Sequence, residues 1–133
     1  METEIVPLAA LIIWQLVLGL WATSVIGMHV GSDWLLSSRG TAPEFRDSLA
    51  GRLDRARSNG FEAITLFAPI ALALAVTETS TASTILCAWA YLVARVVYSL
   101  VYALDLSPWR TLVWFCGWFA LVWMIYVLFM ANV

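Results

Sequence analysis

The protein has 133 residues, enough for one domain, and its formal net charge of −2 argues against a nucleic-acid partner. Its composition is 62% hydrophobic and 12% charged, with a mean hydropathy of +0.87. A soluble domain has about 45–50% apolar and about 25% charged residues. The chain is therefore suited to a lipid bilayer, and we expect an integral membrane protein.

Four apolar runs are each long enough to cross a bilayer as a helix, which takes about 20 mostly apolar residues. They cover residues 5–30, 59–76, 82–104 and 110–130. The links at 77–83 and 105–110 are short, so the last three spans are predicted to be antiparallel neighbours. The link at 31–58 is long and carries most of the charge. Gly40 and Pro43 interrupt it, and the second helix could begin early, outside the hydrocarbon.

The arginines predict the orientation of these spans. All seven basic residues are arginine; five lie in the long first link, and Arg110 lies in the third link. The opposite side has Glu2, Glu4 and Glu78 but no basic residue. Because positive loops stay in the cytoplasm, we expect the Arg-rich loop there and both termini outside. Cys87 and Cys116 lie inside apolar runs without metal-ligand spacing, so no metal site is expected.

Two sets of polar residues share a helix face at the cytoplasmic end of the spans. On the second helix they are Arg55, Asn59 and Glu62. In the third span they are Arg95, Tyr98 and Tyr102. The fourth span opens with Arg110 at the same end. These side chains are predicted to form one polar pocket.

The pocket has two interpretations. A charged side chain deep in lipid costs at least about 2.5–3.5 kcal/mol, so we expect Glu62 to be buried and paired with Arg55, Arg95 or Asn59, from its own or a neighbouring subunit. One interpretation is a structural ion pair. The other is a site for a zwitterionic, acid-rich small molecule, whose carboxylates bind the arginines while Glu62 or Asn59 binds its amine or amide.

Two stretches resemble the MAPEG family, the membrane-associated proteins in eicosanoid and glutathione metabolism. "RARSNGFEA" (55–63) is similar to that family's R-A-x-x-N-x-x-E signature. "ARVVYSLVYALDLSPWR" (94–110) resembles its third-helix signature, an arginine followed by tyrosines three and seven residues later. The plan of four spans with one long cytoplasmic loop is also similar, and a bacterial-type, microsomal glutathione transferase-like member of an inner membrane is expected.

The resemblance implies a left-handed bundle of four transmembrane helices that assembles as a homotrimer. It also implies glutathione as co-substrate, bound between adjacent subunits near the cytoplasmic side. By position, Arg110 would be the catalytic residue that stabilises the thiolate. The substrate-binding residues would be Arg55, Asn59, Glu62, Arg95, Tyr98 and Tyr102.

Three departures from the family pattern bear on the reaction. The eicosanoid branch has adjacent arginines after its first helix, whereas only Arg39 is near here. Ala63 stands where leukotriene C synthase has tyrosine, and Arg57 replaces a neutral glutamine. Eicosanoid chemistry is therefore not expected.

Two functions remain open. One is a glutathione-dependent transferase or peroxidase that acts on hydrophobic electrophiles, either alkyl or aryl halides or lipid hydroperoxides, arriving from the membrane lipid. The other is a non-catalytic accessory subunit, or a lipid- or pigment-binding scaffold, packed on a larger membrane complex.

Overall fold

The computed structural model describes residues 3–38 and 45–133, and these form helices without any strand. The elements are α1 (Ile5–Val30), α2 (Ser32–Leu36), α3 (Leu49–Val76), α4 (Ala82–Ala103) and α5 (Ser107–Ala131). All except the short α2 are long and apolar enough to cross a membrane. The predicted all-α, four-span fold class is confirmed. Four residues used in the sequence analysis lie outside the described residues: Glu2, Arg39, Gly40 and Pro43.

Helix α3 begins well before its apolar part. Ser48 is its N-cap, and its hydroxyl accepts a hydrogen bond from the Gly51 amide at 3.4 Å, an arrangement typical of helix starts. The charged turns that precede residue 59 are therefore helical. As a result, Arg55, Asn59 and Glu62 belong to one continuous helix, which fixes their spacing along the pocket.

The link between α4 and α5 places Arg110 in the first turn of α5. Asp105 has a φ of 59° in this turn, and Pro108 occupies an early position of α5, where a missing N–H costs nothing. On the α3 side, Arg52 Nε donates to the Ala103 carbonyl at 3.0 Å. This bond satisfies one of the carbonyls that the end of α4 leaves unpaired.

The opposite end of the bundle is closed by a buried carboxylate. Glu4 is fully buried and accepts hydrogen bonds from Ser80 Oγ at 2.6 Å and Thr84 Oγ1 at 2.5 Å. Thr84 also forms a capping box with Thr81 at the start of α4. In the sequence, Glu4 indicates only a charge on the side opposite the Arg-rich loop, whereas in the structure it connects the start of α1 to the start of α4.

Small residues allow the helices to pack closely near the predicted pocket. Ala22, Ala56 and Ala103 are buried with Leu18 and Leu53 in one cluster. Further along the bundle, a second cluster includes large side chains. Its fully buried members include Phe67, Leu74 and Met124. Close backbone approach through small residues is the usual basis of helix packing in membranes.

One polar contact in the bundle depends on a glycine. Gln15 of α1 is 4% exposed, and its Nε2 donates to the Arg57 carbonyl of α3 at 2.7 Å. A Cβ atom at residue 60 would overlap the Gln15 amide. Gly60 therefore makes room for the side chain that joins α1 to α3 beside Asn59.

We predict that Gly60→Ala lowers the thermal stability of the protein in detergent. The added methyl group must displace Gln15, and overpacking of this kind costs about 1–3 kcal/mol. Gly19→Ala is the matched control, because a Cβ atom there meets nothing within 4 Å and alanine favours a helix over glycine by about 0.5–1 kcal/mol. Equal melting temperatures for the two variants would contradict this account of Gly60.

Candidate functional site

The Arg95 guanidinium is the deepest cation among the described residues of the predicted pocket. Arg95 is 8% exposed. Its Nη2 donates to the side-chain oxygen of Asn59 and, at 3.4 Å, to the Asn59 carbonyl. The Tyr98 ring centroid lies 4.6 Å from Arg95 Cζ, within the range of a cation–π interaction. The two predicted stripes therefore meet through Asn59, while Tyr98, on the same helix as Arg95, adds an aromatic face to the guanidinium.

A second group forms around Tyr102, closer to the ends of the helices. Arg55 Nε donates to the Tyr102 hydroxyl at 3.2 Å, and Arg110 Cζ lies 4.6 Å from the centroid of the Tyr102 ring. The rings of Tyr98 and Tyr102 are 5.8 Å apart. These contacts join the second group to Arg95 and complete one cluster.

We call Arg55, Arg95 and Arg110, with the tyrosines at 98 and 102, the arginine cluster. No carboxylate pairs with its three arginines among the residues that the structure describes. In those ranges the ion pair is between Arg57 and Asp54, at 2.5 Å, one turn apart on the partly exposed surface of α3. The cluster therefore concentrates positive charge around one buried guanidinium, that of Arg95, where charges interact more strongly than in water.

Glu62 corrects one expectation. We expected it to be buried and paired, but in the single chain it is exposed. No hydrogen bond joins its carboxylate to Arg55, Arg95 or Asn59 in the described ranges, although it is close enough to attract Arg95 electrostatically. Its outward direction follows from the helix face that it occupies. Pairing with a neighbouring subunit stays a prediction.

Two clefts border the cluster. The first has a volume of about 130 Å³; Asn59, Glu62 and Arg95 form its polar end, and Trp114 and Trp118 lie along its apolar part. The second has a volume of about 270 Å³ and is lined by Tyr98, Arg110, Thr111 and Trp114. Trp114 therefore borders both clefts and connects the surroundings of Arg95 to those of Arg110.

Two residues of α1 that are not among the predicted site residues hold the site in place. Trp14 Nε1 donates to Ser99 Oγ of α4 at 3.0 Å, next to Tyr98. Its neighbour Gln15 bonds to α3 beside Asn59. Together they fix α3 and α4 relative to each other at the cluster. Gln15 gave a usable signal, because an amide within an apolar run needs a buried partner.

The fold and the site define a membrane-embedded helical protein with an arginine-lined pocket at one end of its bundle. The MAPEG family matches residues 5–130, nearly the whole chain. The protein therefore belongs to the MAPEG family, as the two signatures predicted. No curated protein and no solved structure matches the chain.

We predict that Asn59→Leu destabilises the fold by about 1.5–3 kcal/mol, because it removes the acceptor of a charged hydrogen bond and leaves Arg95 buried. Thr65→Val is the matched control on α3. Its hydroxyl is exposed and, among the described residues, bonds only to the carbonyl of Glu62 in its own helix. Thermal unfolding in detergent measures both variants. A loss no larger for Asn59→Leu than for Thr65→Val would show that Arg95 does not depend on the amide.

Proposed function

We propose that the protein is a glutathione-dependent membrane transferase or peroxidase that acts on hydrophobic electrophiles. The observation that carries this proposal is the arginine cluster: three guanidinium groups gathered around two tyrosines, without an acidic partner among the described residues. Such a site favours an anionic ligand rather than an apolar or cationic one.

The charges of glutathione complement those of this site. Glutathione has two carboxylates and one ammonium group, and its reactive form adds a thiolate. Three anionic groups would face Arg55, Arg95 and Arg110, and the ammonium group would suit Glu62. Tyr98, Tyr102 and Asn59 add hydrogen-bonding groups. One nitrogen of Arg95, Nε, is buried without an acceptor among the described residues.

Arg110 is the residue proposed to promote the reaction. A free thiol has a pKa of about 8.5, so only a small fraction is ionised at pH 7, and the thiolate is the nucleophile. A nearby guanidinium stabilises the thiolate, and Arg110 lies in the first turn of α5, where the helix dipole also favours an anion. Arginine stays protonated, so its role is electrostatic rather than that of a base.

The orientation and the assembly belong to the same proposal. A cytoplasmic Arg-rich loop would open the cluster toward the compartment that holds the soluble thiol pool. A homotrimer would give Glu62 a partner, since this carboxylate is exposed midway along α3 and a charge at that depth is costly in lipid. The neighbouring subunit would then complete the pocket.

Mass measurement in mild detergent tests this assembly. We predict a trimer for the wild-type protein and a lower trimer fraction for Glu62→Leu, because the substitution removes the charge that needs the neighbouring subunit. Thr65→Val, on the same exposed part of α3, is the control and should assemble normally. A wild-type protein that is only monomeric would contradict the proposal.

We predict that Arg110→Ala lowers the rate of conjugation of glutathione to chlorodinitrobenzene at pH 7 by about tenfold or more, since each unit of lost thiol pKa shift corresponds to about 1.4 kcal/mol. Raising the pH toward 9 should recover much of the loss, because the thiol then ionises unaided. Calorimetric binding of glutathione should change only a few-fold, since other arginines hold the carboxylates.

Arg57→Ala is the control, because Arg57 pairs with Asp54 outside the cluster. It should keep the wild-type rate. If Arg110→Ala keeps the wild-type rate at pH 7, Arg110 does not promote the reaction and serves only to anchor the end of the helix. If the wild-type protein neither binds nor conjugates glutathione, the enzyme proposal fails and a non-catalytic accessory or scaffold role takes its place.

A further inference from the structure

We propose that residues 45–48, the segment that leads into α3, form a strap that orients Arg55 toward its anionic ligand. Gly51 and Phe45 are the positioning residues that hold this strap in place. The inference rests on the proposed function and extends the same site beyond the residues that would touch the ligand. The contacts that carry it join the strap to α3 and α4 within one chain.

Arg55 is held from two sides. Its Nη1 donates to the Arg46 carbonyl of the strap at 2.8 Å, and its Nε donates to the Tyr102 hydroxyl of α4 at 3.2 Å. A guanidinium is planar, with its N–H donors in a fixed arrangement, so bonds to two separate partners fix its plane. The other N–H groups of Arg55 then keep one orientation, which suits a carboxylate bound through both oxygens.

Arg52 lies one turn earlier on α3 and forms a second bridge of the same kind. Its Nη1 donates to the Asp47 carbonyl of the strap at 3.3 Å, and its Nε donates to the Ala103 carbonyl at the end of α4 at 3.0 Å. Two successive carbonyls of the strap are therefore held by two arginines of α3. This double attachment defines where the Arg46 carbonyl lies and so how Arg55 is oriented.

Gly51 allows the strap to lie this close to α3. A Cβ atom at residue 51 would be 2.4 Å from the carbonyl oxygens of both Phe45 and Arg46. The overlap is with backbone atoms, so a larger residue would have to displace the strap itself. Glycine is less favourable than alanine in a helix by a factor of about two to five in equilibrium constant. We infer that Gly51 serves the strap rather than the helix.

Phe45 attaches the other end of the strap to α1 and α2. Its ring centroid is 6.3 Å from that of His29, in the last turn of α1, and 6.3 Å from that of Trp34 in α2. Both pairs are edge-to-face, an arrangement that is favourable at about 4.5–7 Å. Phe45 therefore fixes the start of the strap and, through the next residue, the carbonyl that binds Arg55.

Two variants release the strap from opposite ends. In Gly51→Ala the new Cβ atom displaces the strap, while alanine favours the helix, so this variant should fold. Phe45→Ala removes the aromatic contacts, and Phe45→Tyr is its conservative counterpart because it keeps the ring. Gly19→Ala is the matched control for glycine, since a Cβ atom there meets nothing within 4 Å.

We expect Gly51→Ala and Phe45→Ala to weaken calorimetric binding of glutathione by about three- to tenfold, because a mobile arginine must be immobilised when the ligand binds. With both substrates saturating, kcat for chlorodinitrobenzene at pH 7 should stay within about twofold, since Arg110 is untouched. Phe45→Tyr and Gly19→Ala should bind glutathione as the wild type does. Partial unfolding would instead lower kcat and leave the dissociation constant unchanged.

Hydrogen–deuterium exchange of the strap tests the same contact without glutathione. Arg55→Gln removes the bond to the Arg46 carbonyl and should speed exchange in the strap by about three- to tenfold, as should Gly51→Ala. The double variant should exchange no faster than the faster single variant, because both changes break one contact. Arg57→Gln is the control, since the Arg57 side chain pairs with Asp54, and it should exchange as the wild type does.

Two results would overturn the inference while the proposed function stands. The first is wild-type affinity for glutathione in both Gly51→Ala and Phe45→Ala. The second is a lower kcat at an unchanged dissociation constant, which would give the strap a structural role only. If the wild-type protein does not bind glutathione, the proposed function fails by itself, and the exchange rates decide the inference. Unchanged exchange in Arg55→Gln would then overturn it, and faster exchange that Gly51→Ala does not increase would support it.

Discussion

The structure depends on keeping a guanidinium group charged inside an apolar bundle without an ion pair to any carboxylate of the described residues. An isolated charge in such surroundings is costly, and Arg95 is stabilised instead by the amide oxygen of Asn59 and the face of Tyr98. Arg55 and Arg110 use Tyr102 in the same way. Neutral partners stabilise the cations but do not neutralise them. The remaining positive charge can therefore attract an anionic ligand.

This arrangement requires α3 and α4 to stay in a fixed axial register. Helix α1 fixes this register through two contacts, from Trp14 to Ser99 and from Gln15 to the Arg57 carbonyl. Gly60 makes the second contact sterically possible. At the far end of the bundle, Glu4 ties α1 to the start of α4. Helix α1 contributes no member of the arginine cluster, yet it holds two of the three helices that do.

The sequence predicted the four spans because an apolar run of this length has few stable structures other than a membrane-spanning helix. It also predicted that Asn59 and Arg95 lie close together, since helical spacing and short links determine which helix faces can meet. It was wrong about Glu62 within one chain, because spacing defines a face but not whether that face packs inside its own subunit. Trp114 gave no signal, because an aromatic residue in an apolar run is the ordinary case.

We expect the arginine cluster to stabilise a bound anion, and the thiolate of glutathione reports this stabilisation directly. Thiolates absorb ultraviolet light that thiols do not, so titrating the detergent-purified protein with glutathione at pH 7, without any electrophile, measures the ionised fraction. We predict saturable thiolate absorption that approaches one equivalent per site and is reduced in Arg110→Ala but not in Arg57→Ala. Glutathione that binds wholly as the thiol, or that does not bind, would contradict it.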